Sequence, residues 1–148
     1  MSSPDSSVNR IAREYLRKLE ATASATAKRL PSIAGHRVMS PGDADIYLID
    51  PHGYRRRIAN HTTYNRLFRD WSGIIDVNLR DISRRASLGP GTLLVRGDSS
   101  DAVYLVDAGR RRRISNAAVM DKYWFKWDRV SLMNQTVLEC IALGIDWE

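Results

Sequence analysis

The 148-residue chain has a formal net charge of +6, a sequence pI of about 9.8 and 43% hydrophobic residues. That length and apolar content support a packed core without disulfide or metal staples. The lone Cys140 excludes an internal disulfide, no apolar run reaches membrane-spanning length, and the polar start from Met1 to Ser7 lacks a secretory core. The expected compartment is the cytoplasm by default, with export by a non-classical route left open. The basic residues are nineteen Arg against four Lys. A planar guanidinium suits anionic partners and aromatic faces, although a GC-rich genome gives the same bias.

Residues 1–31 read as an N-terminal amphipathic helix. Ser6 or Ser7 can cap it, and Val8, Ile11, Ala12, Tyr15 and Leu19 recur at helical spacing. Arg10, Arg13, Arg17 and Lys18 flank that stripe, and Pro31 ends the helix. The stripe either packs on its own domain or joins copies of the chain.

The rest, 32–148, reads as a duplication, with copy one at about 33–88 and copy two at about 90–144. Ile46-Tyr47-Leu48-Ile49-Asp50 matches Val103-Tyr104-Leu105-Val106-Asp107 at a spacing of 57 residues. One residue is lost in the turn that follows. Arg55-Arg56-Arg57-Ile58 then meets Arg111-Arg112-Arg113-Ile114, Asn60 meets Asn116, Trp71 meets Trp127 and Asn78 meets Asn134. In each copy a β-rich run enters a turn containing Gly53 or Gly109, and a strand returns with alternating character. Asn60 or Asn116 caps a short helix, and Asn78 or Asn134 caps a second. The fold class is α+β: the N-terminal helix, then two strand–turn–strand–helix repeats that pack on each other because neither buries its apolar face alone.

Leu94-Val95-Arg96-Gly97, Val103 to Val106, Gly109, Arg112, Ile114 and Trp127 with Val130 resemble a tandem bacterial repeat of roughly fifty residues. Such repeats are appended to secreted and surface proteins, beside hydrolases among others, and their role is largely uncharacterised. The resemblance implies an accessory module with glycans or surfaces as its ligand class.

Alternation points Arg56 and Arg112 inward, where Asp50 and Asp107 can pair them. Arg55, Arg57, Arg111 and Arg113 are then the arginines left for an outside ligand. Trp71 and Trp127, each followed by apolar residues at helical spacing, are expected in the core, as is Cys140. Tyr123 and Trp124, crowded beside Trp127, and Trp147 exceed what one small helix buries, so they are candidates for a ligand groove or a subunit contact. His36, His52 and His61 lack a second His or Cys at ligand spacing, so no metal site is expected. Asp43, Asp45, Asp98 and Asp101 read as turn residues. No nucleophile elbow, Cys–His signature or phosphate loop is present, so neither catalysis nor a cofactor is expected.

Three functions remain. The first is a non-catalytic, lectin-like recognition module whose ligand contacts are Arg55, Arg57, Arg111, Arg113, Tyr123, Trp124 and Trp147. The second is a nucleic-acid or polyanion binder driven by the Arg clusters. The third is a homo-oligomer joined through the N-terminal helix and the Trp-rich C-terminal end.

Overall fold

A computed structural model describes residues 10–15 and 28–148. Residues 10–15 are helical, with Ile11 and Tyr15 exposed. The remainder of the expected N-terminal helix lies outside the described residues.

β-Branched and aromatic runs separated by turn residues form two antiparallel meanders. In the first, β1 (Arg37–Met39), β2 (Tyr47–Ile49) and β3 (Arg55–Ile58) pair in order, with Val38 opposite Tyr47 and Leu48 opposite Arg56. Asn60 then starts α1 (His61–Leu67) by accepting a hydrogen bond from Thr63 N at 2.8 Å. β4 (Ile75–Asp76) returns parallel to β1, a 3-10 turn covers Leu79–Asp81, and β5 (Arg84–Leu88) runs parallel to β3.

The second meander is β6 (Leu93–Gly97), β7 (Val103–Asp107) and β8 (Arg110–Ile114). After it come α2 (Ala117–Lys122), capped by Asn116, and a 3-10 turn at Trp127–Arg129. β9 (Ser131–Met133) pairs with β6 and β10 (Ala142–Leu143) with β8, both in parallel, and α3 (Gln135–Glu139) lies between them. The sheet orders are β4-β1-β2-β3-β5 and β10-β8-β7-β6-β9. Counted from each half's first strand, the two orders are the same.

The outer strands β4, β5, β9 and β10 add to the strand–turn–strand–helix unit expected from sequence. β4, β9 and β10 are only two or three residues long, and the outer strands show no alternation shared between the halves. The expected second helix is α3 in the second half but only a 3-10 turn in the first, where Asn78 accepts from Arg80 N.

The hairpin turns differ while their anchors agree. Asp50 Oδ1 accepts from His52 N at 2.9 Å and Tyr54 N at 3.0 Å, and its Oδ2 accepts from Arg56 Nε at 2.8 Å. Gly53, at φ +89°, lies against Leu30 and Pro31 so closely that a methyl group would collide with their backbone. The second turn is one residue shorter. Ala108 (φ 49°) and Gly109 (φ 73°) are its central residues, the conformation a two-residue type I′ hairpin requires. Arg112 Nε donates to Asp107 Oδ1 at 2.8 Å. Arg56 and Arg112 are therefore paired with Asp50 and Asp107 as alternation implies, and both carboxylates are buried.

One core unites the halves. Leu48, Ile58, Leu67 and Phe68 bury against Leu94, Leu105, Ile114, Tyr123 and Phe125. The segments after α1 and α2 meet antiparallel: Phe68 bridges Phe125, Lys126 N donates to Leu67 O at 2.8 Å, and Arg69 N donates to Trp124 O at 3.1 Å. Trp147 closes this core. Its backbone bridges Ile114, which carries the indole to within 4.9 Å of the Tyr123 ring and 6.1 Å of Phe125. Tyr123 and Trp147, expected at a surface, are 0% and 1% exposed, because the chain end continues along β8 and supplies the cover that one helix lacks. Cys140 departs in the other direction. It is exposed at the C-cap of α3, whose inward side chain is Leu138.

Trp147→Ala is expected to destabilise the fold by about 3–5 kcal/mol, the usual cost of truncating a core aromatic, as measured by urea denaturation. Ala108→Asn is expected to stabilise it by roughly 0.5–1 kcal/mol in the same assay, because Asn tolerates the left-handed backbone that strains Ala.

Candidate ligand-binding grooves

Where β3 turns into α1 the chain leaves a concavity of about 520 Å³. Its floor includes Ile46 and Ile58, its rim Asp45, Asn60 and His61, and one wall is Trp71. Where β8 turns into α2 a smaller concavity of about 190 Å³ has Val103, Ile114 and Met120 as its floor, Arg113 and Asn116 at its rim, and Trp127 as its wall. The two occupy corresponding places: Ile46 and Val103, Ile58 and Ile114, Asn60 and Asn116, Trp71 and Trp127 are the matched residues of the sequence comparison. An apolar concavity with few convergent polar groups is the usual form of a small-ligand site.

Trp71 is fixed yet open. Its ring lies 3.9 Å from that of Tyr64 at an interplanar angle of 24°, and His61 meets it edge-on at 5.0 Å. Its Nε1 donates to Asn65 Oδ1 at 2.8 Å. Tyr64 is itself locked, since its hydroxyl donates to Asp70 O and accepts from Arg37 Nη1, both at 2.6 Å. Burial pushes the Tyr64 pKa up from the ordinary phenol range, against the opposing pull of the Arg37 guanidinium. The Asp70 carboxylate is held below its ordinary range, chiefly by the Ser72 hydroxyl and then by the Trp124 indole. The outcome is an indole that is 40% exposed but positioned before any ligand arrives. In the second groove Met120 stands in the place of Tyr64 and Ala117 in that of His61. Trp127 is 48% exposed there and has no ring partner among the described residues.

Both tryptophans were expected in the core. The spacing of three that suggested a helical face does not describe the backbone: after Trp71 the chain makes a turn and then β4, and Trp127 begins a 3-10 turn. Neither indole therefore sits on a helix long enough to carry it into the core.

The arginines divide in two. Arg55 Nε donates to Ile82 O at 2.7 Å with its guanidinium over the Tyr47 ring. Arg111 Nε donates to Ile141 O at 2.9 Å over Tyr104. Both are ties between β3 or β8 and the segment before the outer strand, and neither lines a groove. Arg57 pairs with Asp45 at 3.1 Å, and this hydrogen bond is the main cause that raises the Arg57 pKa. Arg113 faces the second groove. Trp124 is half-buried at the junction of the halves, with Arg69 4.8 Å over its ring and its Nε1 donating to Asp70 Oδ1 at 3.0 Å. Of the seven residues singled out from sequence, Arg113 lines a groove and Arg57 flanks one. Trp71, Trp127, His61 and Asn60 were missed as a group. The signal that could have found them was their recurrence, or near recurrence, beside the two helix caps.

Comparison with family models, with curated proteins and with solved structures returned no match.

Trp71→Ala is expected to cost about 1 kcal/mol of stability or less, the ordinary range for a partly exposed position, in contrast to Trp147→Ala. Parallel urea melts of the two variants check this.

Proposed function

We propose that the chain is a duplicated, non-catalytic recognition module whose two grooves bind sugar rings of a glycan. The observation that carries the reading is the recurrence of one arrangement: an exposed indole walls an apolar-floored groove, beside a capping Asn, at the same topological place in each half. A flat ring with an apolar face fits such an indole, while hydroxyl groups fit the amide and carboxylate of the rim. Two modest sites on one rigid body give avidity for a polymer that displays the ring repeatedly. The resemblance to tandem repeats of secreted and surface proteins supports the same ligand class.

Polyanion binding through the Arg clusters has less support. Arg55, Arg56, Arg111 and Arg112 direct guanidinium hydrogen bonds into the fold, and Arg57 is paired at the surface with Asp45. Assembly through residues 1–31 is a separate property, read from the mass in solution with and without that segment.

Hits on a glycan array that persist in moderate salt are expected. Trp71→Ala/Trp127→Ala is expected to weaken them at least tenfold with the fold intact by circular dichroism. Binding to DNA as tight as to any glycan, with steep loss in salt, sinks the glycan reading in favour of the polyanion one.

A further inference from the structure

We infer that the second groove takes an acidic sugar, one bearing a carboxylate or sulfate group that Arg113 grips beside the Trp127 face. The inference rests on the glycan reading of the grooves and gives one of them a charge preference.

The basis is one difference at the start of the two hairpins, where the surrounding positions match. Tyr47 is opposite Arg57 in the first sheet, and Tyr104 is opposite Arg113 in the second. The residue two before each tyrosine is held in the same way. Asp45 N donates to Asp43 Oδ1 at 2.9 Å, and Ala102 N donates to Ser100 Oγ at 3.2 Å. In the first half that residue is an aspartate, whose Oδ2 takes Arg57 Nε at 3.1 Å. In the second half it is Ala102, and a methyl group has nothing to offer Arg113. The guanidinium is exposed and makes no hydrogen bond or ion pair with another side chain among the described residues.

The acid nearest to it in the groove does not take the vacated role. Asp101 is fully exposed and reaches instead to Arg96 Nη1, at 3.5 Å. Asn116 commits its Oδ1 to Val119 N at 3.1 Å and keeps its amide Nδ2 without a protein partner among the described residues. An anionic substituent placed here meets a guanidinium fork that can bind two of its oxygens together, with an amide donor beside it. Trp127 and Met120 displace water from one side of that contact, which strengthens the attraction. The first groove lacks this asset because Asp45 already neutralises Arg57. The smaller volume of the second groove, about 190 Å³ against 520 Å³, suits a terminal ring.

The test titrates the protein, at moderate salt, with three matched trisaccharides: neutral, uronate-terminated and sulfate-terminated. Binding is followed by calorimetry. At least one acidic form is expected to bind about tenfold more tightly than the neutral one, and the arm that does so identifies the acidic group. Arg113→Gln and Ala102→Asp are each expected to erase that preference, bringing the acidic affinity down to that of the neutral trisaccharide measured on the same variant. Ala102→Asp adds the missing carboxylate without removing any existing contact, so it stands if Arg113→Gln folds poorly. Equal binding of all three trisaccharides overturns the charge preference alone and leaves the glycan reading intact. A preference that survives both substitutions overturns the assignment to this groove. No binding of any of the three overturns the glycan reading and this inference together.

Discussion

Leu48 and Ile58 from one sheet, and Leu94, Leu105 and Ile114 from the other, are buried in a single cluster with the aromatic residues that follow α1 and α2. Each such aliphatic side chain contributes about 1.5–3 kcal/mol when fully removed from water, and in this cluster residues of each half are covered by residues of the other. The mutual shielding decides the rest. It brings Phe68 opposite Phe125 in an antiparallel bridge, and thereby fixes where each helix begins relative to its hairpin. The grooves are the concavities left at those helix starts.

Arginine holds the edges of this arrangement. Arg56 reaches Asp50 and also Ala86 O at 3.2 Å, while Arg110 reaches Leu143 O at 3.0 Å. Together with Arg55 and Arg111 these ties fasten β5 and β10 to strands that hold them through only a few backbone bonds. The buried Asp50–Arg56 and Asp107–Arg112 pairs carry a desolvation cost, but each fixes which face of its hairpin looks inward. Much of the Arg excess is thus architectural.

The hairpins, the two Asn caps and the inward Asp–Arg pairs were legible in the sequence because each rests on a local rule repeated at a constant spacing. The outer strands were not. Arg84–Leu88 and Leu143–Trp147 stand in corresponding places, since Leu88 lies opposite Ile58 and Trp147 opposite Ile114, yet they share no residue. Their conformation is imposed by the neighbouring strand, and single-chain patterning carries no trace of that. The exposure of Trp71 and Trp127 was hidden for a related reason: a spacing of three marks a buried face only on a helix that packs against the core, and here Trp71 leads into a strand and Trp127 starts a single 3-10 turn. Trp147 misled in the opposite sense, because its cover comes from residues distant in the chain.

One free margin of the first sheet, β5, presents Arg84 and Arg85 to solvent. An unpaired strand of this kind is a template on which another molecule's strand can grow, and fixed positive charge along it makes that approach repulsive. The second sheet has no such charges at its corresponding margin and relies on brevity, since Ala142–Leu143 offers only two residues to a would-be partner. At these two margins, repulsion on one flank and a short foothold on the other disfavour the edge-to-edge zipping of neighbouring copies into ribbons.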